Sequence, residues 1–303
     1  LDITDPDAPK FKWKIEKGGA GTAYEQLAQS WSTPNLGRLK VGGVEKAAFV
    51  IGGGYNGDDG GDNLGDLGKD AKNRATLAGT TPAVGVNDDE GNALFIGDLD
   101  TGSLIWKAIK GDSSYVFGTT TYSHPDMSDS FADALVAIDA RGDGFFDRIY
   151  AGDTGGVLWR IDLAGFKDHD GNGATPDILV LDDPSVWQAT RVMSVGRHAS
   201  LSGVLADDRR FFNAPDVAQS RDTVGPFDGV LIGSGDREDP NGSDVRNSFY
   251  LLKDRAVKSG IPPSSMVVEA NLADLTSNCL QTNSCGTPPD LTSGWRLDLA
   301  SIG

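Results

Sequence analysis

Residues 148–163 read RIYAGDTGGVLWRIDL, two short runs of alternating apolar residues split by a Gly- and Asp-rich interval. Alternation with a period of two is the mark of a strand, and Gly-Asp-Thr-Gly-Gly supplies what a tight reversal requires. The stretch predicts a β-hairpin whose second strand delivers Trp159 to a place where a neighbouring sheet can bury it.

The same phrase recurs as LDITDPDAPKFKWKI around Trp13 and ALFIGDLDTGSLIWKA around Trp106, with a weaker echo, SGWRLDL, around Trp295. Further strands are expected at 47–53, 227–236, 247–254 and 265–270, and the best short helix candidate is TAYEQLAQ, 22–29. Hairpins repeated without intervening helices predict an all-β fold, a distorted β-propeller of irregular hairpin-based blades with long loop insertions. A pair of β-sandwiches is the alternative. One such insertion, YNGDDGGDNLGDLGKD (55–70), carries too little apolar surface to pack.

The 27 Lys and Arg against 44 Asp and Glu give a net charge of −17, which repels phosphate backbones and anionic lipid surfaces and suits hard divalent cations. Nucleic acid is excluded as a partner on this ground. No apolar run approaches the roughly 18 to 20 residues of a spanning helix, so membrane insertion is not expected. The cysteines, Cys279 and Cys285, sit in a polar Pro- and Gly-flanked loop that could close a small disulfide ring in an oxidising compartment. The chain opens as if within a strand and turn, so residues 1–303 are expected to be one propeller domain, a fragment of a longer secreted protein.

Two loops carry the spacing of a calcium site. Counting from Asp139, Asp143 falls at position five, Gly144 at six, Phe145 at seven and Asp147 at nine. Calcium loops of the EF-hand kind take side-chain oxygens at one, three and five, a bend at Gly six and a main-chain carbonyl at seven. Arg141 stands at three, where an acceptor oxygen belongs. Either water fills that place while Arg141 swings outward, or its guanidinium pairs with Asp139 and Asp143 and the loop needs no metal. In DHDGNGATPD, Asp168, Asp170 and Asn172 take one, three and five, Ala174 offers its carbonyl at seven, and Asp177 is the closing carboxylate at ten. An Asx-rich turn is the alternative there. Arg141-Gly142-Asp143 also spells the RGD tripeptide, a short motif with a high chance frequency.

LDITDPDAPKFKWKI, YEQLAQSWSTPNLGRLK, AFVIGGGYNG, DARGDGFFDRIYAGDTGGVLWRIDL and GSGDREDP, in this order, closely resemble the C-terminal domain of the PilC/PilY family of type IV pilus tip proteins. The resemblance implies a distorted β-propeller exported to the outer cell surface and carried at the pilus tip, with minor pilins and host or abiotic surfaces as partners. It further implies pilus biogenesis, adhesion and a calcium site, matching Asp139, Asp143, Phe145 and Asp147, that tunes extension against retraction. Position three, Asn or Asp in that family, departs here.

The runner-up is a quinoprotein (PQQ) dehydrogenase propeller, because DLDTGSLIW resembles the Trp-docking repeat of those enzymes. The adjacent cysteine pair often found there is missing, and no cofactor-binding constellation can be assigned. No G-x-S-x-G elbow orders a Ser, His and Asp for nucleophilic catalysis. The expectation is a protein without enzymatic activity.

Overall fold

The computed structural model describes residues 2–55, 88, 90–109, 115–117, 120–122, 127–133, 135–167, 178–196, 205–237, 240–243, 245–276 and 289–299. Among them the only helical turns are three short 3-10 segments, and everything else regular is strand.

β1 (Asn35–Val41) and β2 (Val44–Gly52) are joined by Gly42 and Gly43, both at positive φ (57° and 79°), the conformation that a two-residue hairpin turn demands. β3 (Ala93–Asp98) and β4 (Leu104–Ile109) form the hairpin around Trp106, and the four strands make one antiparallel sheet in chain order. β5 (Tyr115–Phe117) and β6 (Thr120–Tyr122) form a separate two-stranded ribbon.

The second sheet holds β7 (Val136–Ile138), β8 (Arg148–Gly152) and β9 (Val157–Asp162), the last two being the hairpin of residues 148–163. After a ribbon of β10 (Gly165–Lys167) and β11 (Ile178–Val180), β12 (Gln188–Ser194) returns beside β9. The third sheet begins with β13 (Asp216–Arg221), β14 (Pro226–Gly233) and β15 (Ser248–Asp254). β16 (Val267–Val268) closes the edge of the second sheet in parallel with β12, while β17 (Ala273–Asp274) and β18 (Gly294–Asp298) complete the third.

Alternation along β8 and β9 decides how the sheets stack. Ile149, Ala151, Val157, Trp159 and Ile161 enter one core with Leu39, Val50, Leu94, Ile96 and Trp106 of the first sheet. Their neighbours Tyr150 and Leu158 enter another with Val230, Ile232, Tyr250 and Leu252 of the third. The middle sheet is thus buried on both faces. This is the blade-on-blade packing of an irregular β-propeller, as expected from the sequence.

Two local expectations are corrected. LDITDPDAPKFKWKI forms no strand hairpin, only an isolated bridge between Asp2 and Lys10. Instead Trp13 stacks on Phe49 at 5.5 Å and donates Nε1–H to the Leu99 carbonyl at 2.9 Å, docking the segment on the β3–β4 turn. TAYEQLAQ is a series of turns, not a helix. Tyr24 and Leu27 are buried against Phe49 and Phe95, and the Ala28 and Gln29 amides are committed to the Gly53 and Tyr55 carbonyls, so tertiary contacts override helix propensity. Cys279, Cys285 and the Gly/Asp insertion beyond Tyr55 lie outside the described residues.

Candidate functional site

The loop from Asp139 to Asp147 joins β7 to β8 and is shaped by its own carboxylates. Asp139 Oδ1 accepts from the Gly142 and Asp143 amides at 2.7 and 3.0 Å, and its Oδ2 accepts from the Gly144 amide at 2.6 Å. Asp143 Oδ1 takes the Phe145 amide at 3.1 Å, and Asp147 Oδ2 takes the Arg141 amide at 2.8 Å. Gly144 sits at φ 85°, and a Cβ there would collide with the Arg38 guanidinium. Three carboxylates are thereby brought together, with one oxygen each of Asp139, Asp143 and Asp147 within 4.8 Å of one another.

A hard cation about 2.4 Å from each of two oxygens holds them at most about 4.8 Å apart, so the donor set suits calcium. Arg141 already lies among these donors. Its Nη2 is 2.5 Å from Asp147 Oδ1 and 3.3 Å from Asp143 Oδ2. Arg141 therefore stays inside the loop rather than swinging outward, and it pairs with Asp147 and Asp143 instead of Asp139, since the loop amides take both Asp139 oxygens. The RGD tripeptide is exposed, yet its Arg and Asp heads face each other rather than outward.

Electrostatics follow the geometry. Burial pushes the Asp147 carboxyl up from its ordinary value, outweighing the Arg141 amide and guanidinium that pull it down. Desolvation raises Asp139 too, but the three loop amides overcome it and leave that carboxyl below the usual range.

Residues of the first sheet that no spacing rule could find also build the site. The Phe145 ring is buried beneath two cations, Lys40 Nζ at 4.4 Å and Arg38 at 5.1 Å from its centre. Phe146 N–H donates to the Arg38 carbonyl at 2.9 Å, and Arg38 Nε donates to the Gly144 carbonyl at 3.2 Å. Gly37 leaves the space that the Phe146 ring fills. The loop is thus fastened to the edge strand β1 as well as to its own sheet.

Asp168, Asp170, Asn172, Ala174 and Asp177 lie outside the described residues. Their flanks are described: Lys167 of β10 stands opposite Ile178 of β11. Lys167 also pairs with Asp183, which accepts the Ser185 amide at 2.9 Å, and this Lys167 contact first, then those from Ser185, holds the Asp183 carboxyl down at about 2 despite partial burial. Among the described residues no helix is long and apolar enough to cross a membrane.

No family model matches the chain. Individual proteins do. It is 28% identical over 232 residues to a type IV pilus biogenesis factor PilY1 homolog of Xylella fastidiosa, covering 72% of this chain and 14% of that protein. It is 26% identical over 308 residues to the type IV pilus biogenesis factor PilY1 of Pseudomonas aeruginosa strain UCBPP-PA14, covering 98% of this chain and 22% of that protein. The crystal structure of the Pseudomonas aeruginosa PilY1 C-terminal domain superposes with a TM-score of 0.60 at 20% identity, over 100% of this chain and 56% of that one. The chain thus spans less than a quarter of the length of these two pilus factors. Relatives by sequence and by fold agree: the chain is similar in sequence to these PilY1 pilus biogenesis factors and has the fold of the Pseudomonas aeruginosa PilY1 C-terminal domain.

Proposed function

We propose that this chain acts as part of a type IV pilus biogenesis factor, displayed outside the cell at the pilus tip, where it supports assembly and attachment without catalysing a reaction. Minor pilins and host or abiotic surfaces are its partners in this reading. The role rests on the relatives named as pilus biogenesis factors. Calcium is its ligand, held by Asp139, Asp143, Asp147 and the Phe145 carbonyl. Asp168, Asp170, Asn172, Asp177 and the Ala174 carbonyl form a second site.

The observation that supports the first site is the convergence of three carboxylates within 4.8 Å on a loop pinned to β1. Binding there releases Arg141 from Asp143 and Asp147 and exchanges one cation for another. Because a ligand that binds only one loop state draws the population toward it, extracellular calcium sets how firmly the loop grips β1. Extension against retraction of the pilus is the output that this grip tunes.

Calorimetric titration tests the ion, and complementation of a pilus-deficient strain tests the role. Calcium uptake at millimolar concentration, of which Asp147→Ala and Asp170→Ala each remove part, is the expected result, together with surface pili restored by the wild type. No uptake sinks the calcium reading, and pili fully independent of the chain sink the biogenesis reading. The absorbance of pyrroloquinoline quinone should not change on mixing, since the quinoprotein alternative requires it to bind.

A further inference from the structure

β12 ends where the edge strand β16 runs parallel to it, with Ser194 standing opposite Val268. Two 3-10 turns, Leu205–Asp207 and Glu269–Asn271, contribute residues to a cavity of about 360 Å3 at this end of the strand. Val195, Val268 and Ala270 form its apolar wall, and Ser194, Asp207, Arg209 and Glu269 its polar one. None of these residues belongs to the Asp139–Asp147 loop.

Arg209 is the fixed point of the polar wall. Its side chain is 1% exposed, with Nε donating to the Arg246 carbonyl at 2.8 Å and Nη1 to the Val195 carbonyl at 3.1 Å. Nη2 lies 3.0 Å from Glu269 Oε1 and 3.7 Å from Asp207 Oδ1, yet it is aligned for a hydrogen bond with neither. Ser194 is 3% exposed, and among the described residues its Oγ has no hydrogen-bond partner. Buried polar groups are nearly always matched, so two unmatched ones at a single cavity ask for a ligand that completes them.

The carboxylates are incomplete in the opposite sense. Asp207 Oδ1 takes Arg246 Nη2 at 3.3 Å, and Glu269 Oε1 takes the Tyr250 hydroxyl at 3.5 Å. Arg296 comes no nearer to Glu269 than 3.9 Å, because Asp274 and Asp298 hold its other nitrogens. Among the described residues, Asp207 Oδ2 and Glu269 Oε2 accept no hydrogen bond, Arg246 Nη2 standing 3.8 Å from the latter. The wall therefore offers spare acceptors beside spare donors.

Charge decides what can use both. An anion on Arg209 would also meet Asp207 and Glu269, and a cation on those carboxylates would meet Arg209 and Arg246, so either faces like charge at close range. A hydroxyl carries no charge, and it donates and accepts at one oxygen. Several hydroxyls on one ring can accept from Arg209 Nη2, exchange with Ser194 Oγ and donate to Asp207 and Glu269, while the C–H groups of the ring rest on Val195, Val268 and Ala270. The volume lies at the small end of ligand pockets, about 300 to 1,000 Å3, and mixed apolar walls with a few convergent polar groups are what such pockets present.

We infer that the cavity at the end of β12 binds a neutral polyhydroxylated ring of monosaccharide size, read by Ser194, Arg209, Asp207 and Glu269. Such a ring reaches the protein either as a free sugar or as the end of a glycan. The hydroxyl chemistry is common to both.

NMR titration of the whole chain tests this with four probes: glucose, methyl α-glucopyranoside, methyl α-mannopyranoside and methyl β-galactopyranoside. At least one should shift the Val195, Val268 and Ala270 amides, with a Kd on the order of 1 mM, as expected for so small a ligand. Ser194→Ala and Asp207→Asn should each weaken that binding about tenfold while the rest of the spectrum stays folded. A response to the glycosides supports the glycan end, and a response to glucose alone supports the free sugar. No shift from any probe at about 50 mM overturns the proposal. It is equally overturned if sugar binding survives both variants, or if acetate or methylguanidinium moves the same amides further than the sugars do. Should Asp207→Asn fail to fold, Ser194→Ala and the set of probes still decide.

Discussion

Arg141 Nη2 lies 2.5 Å from Asp147 Oδ1, the guanidinium resting among carboxylates whose spacing suits a divalent ion. An arginine supplies charge but no acceptor, so it offsets one of the loop's three negative charges while denying an ion the ligand expected at position three. Arg141→Asn restores the ligand and removes the competitor. Calcium affinity should rise at least tenfold, about 1.4 kcal/mol, by calorimetry. Equal affinity in the two proteins would mean that the guanidinium and the ion do not compete.

Gly37 and Phe146 make the second testable contact. A side chain at Gly37 would occupy the space of the Phe146 ring and push the loop off β1. Gly37→Val should destabilise the chain by about 2 kcal/mol in urea unfolding and weaken calcium uptake in parallel. Loss of stability with calcium uptake unchanged would separate the loop from the edge strand.

Asp153 closes the hairpin of residues 148–163 from inside. It accepts from the Gly155 and Val157 amides at 2.9 Å each and from Trp159 Nε1 at 2.8 Å, all buried. Asp153→Ala strands these donors without water, and a loss of about 3 kcal/mol is expected in denaturant titration. A change below about 1 kcal/mol would show that the turn holds without its carboxylate.

Asp183 contributes to the pH dependence. Its contact with Lys167, and then those from Ser185, hold its carboxyl at about 2 in the folded chain. A depressed carboxyl stabilises the fold above the ordinary Asp value of about 3.9, and that contribution is lost as pH falls through about 2. An NMR titration of the Asp183 side-chain carbon should have its midpoint near 2, and a midpoint near 3.9 would show that the Lys167 pair does not persist in solution.

What the sequence disclosed was local. β2, β8, β9, β14 and β15 announce themselves by alternation between turn residues, because a strand's two faces are written at adjacent positions. The loop carboxylates are legible for the same reason, lying within nine residues of one another. Trp13 misleads because its partners, Phe49 and Leu99, are far along the chain, and nothing near it says that it caps another hairpin. Arg38 and Lys40 reach Phe145 across a hundred residues, beyond any spacing rule. The partner of Arg141 could not be read either, since it depends on which oxygens the loop amides claim first.

The middle sheet, roofed by apolar packing on both sides, has one further consequence. Its inner strands offer no wet surface from which to fray. Amide protons of β9, bonded to β8 and β12 and covered on both faces, can therefore trade with solvent only when the sheet itself opens, which places this strand among the slowest to release its protons.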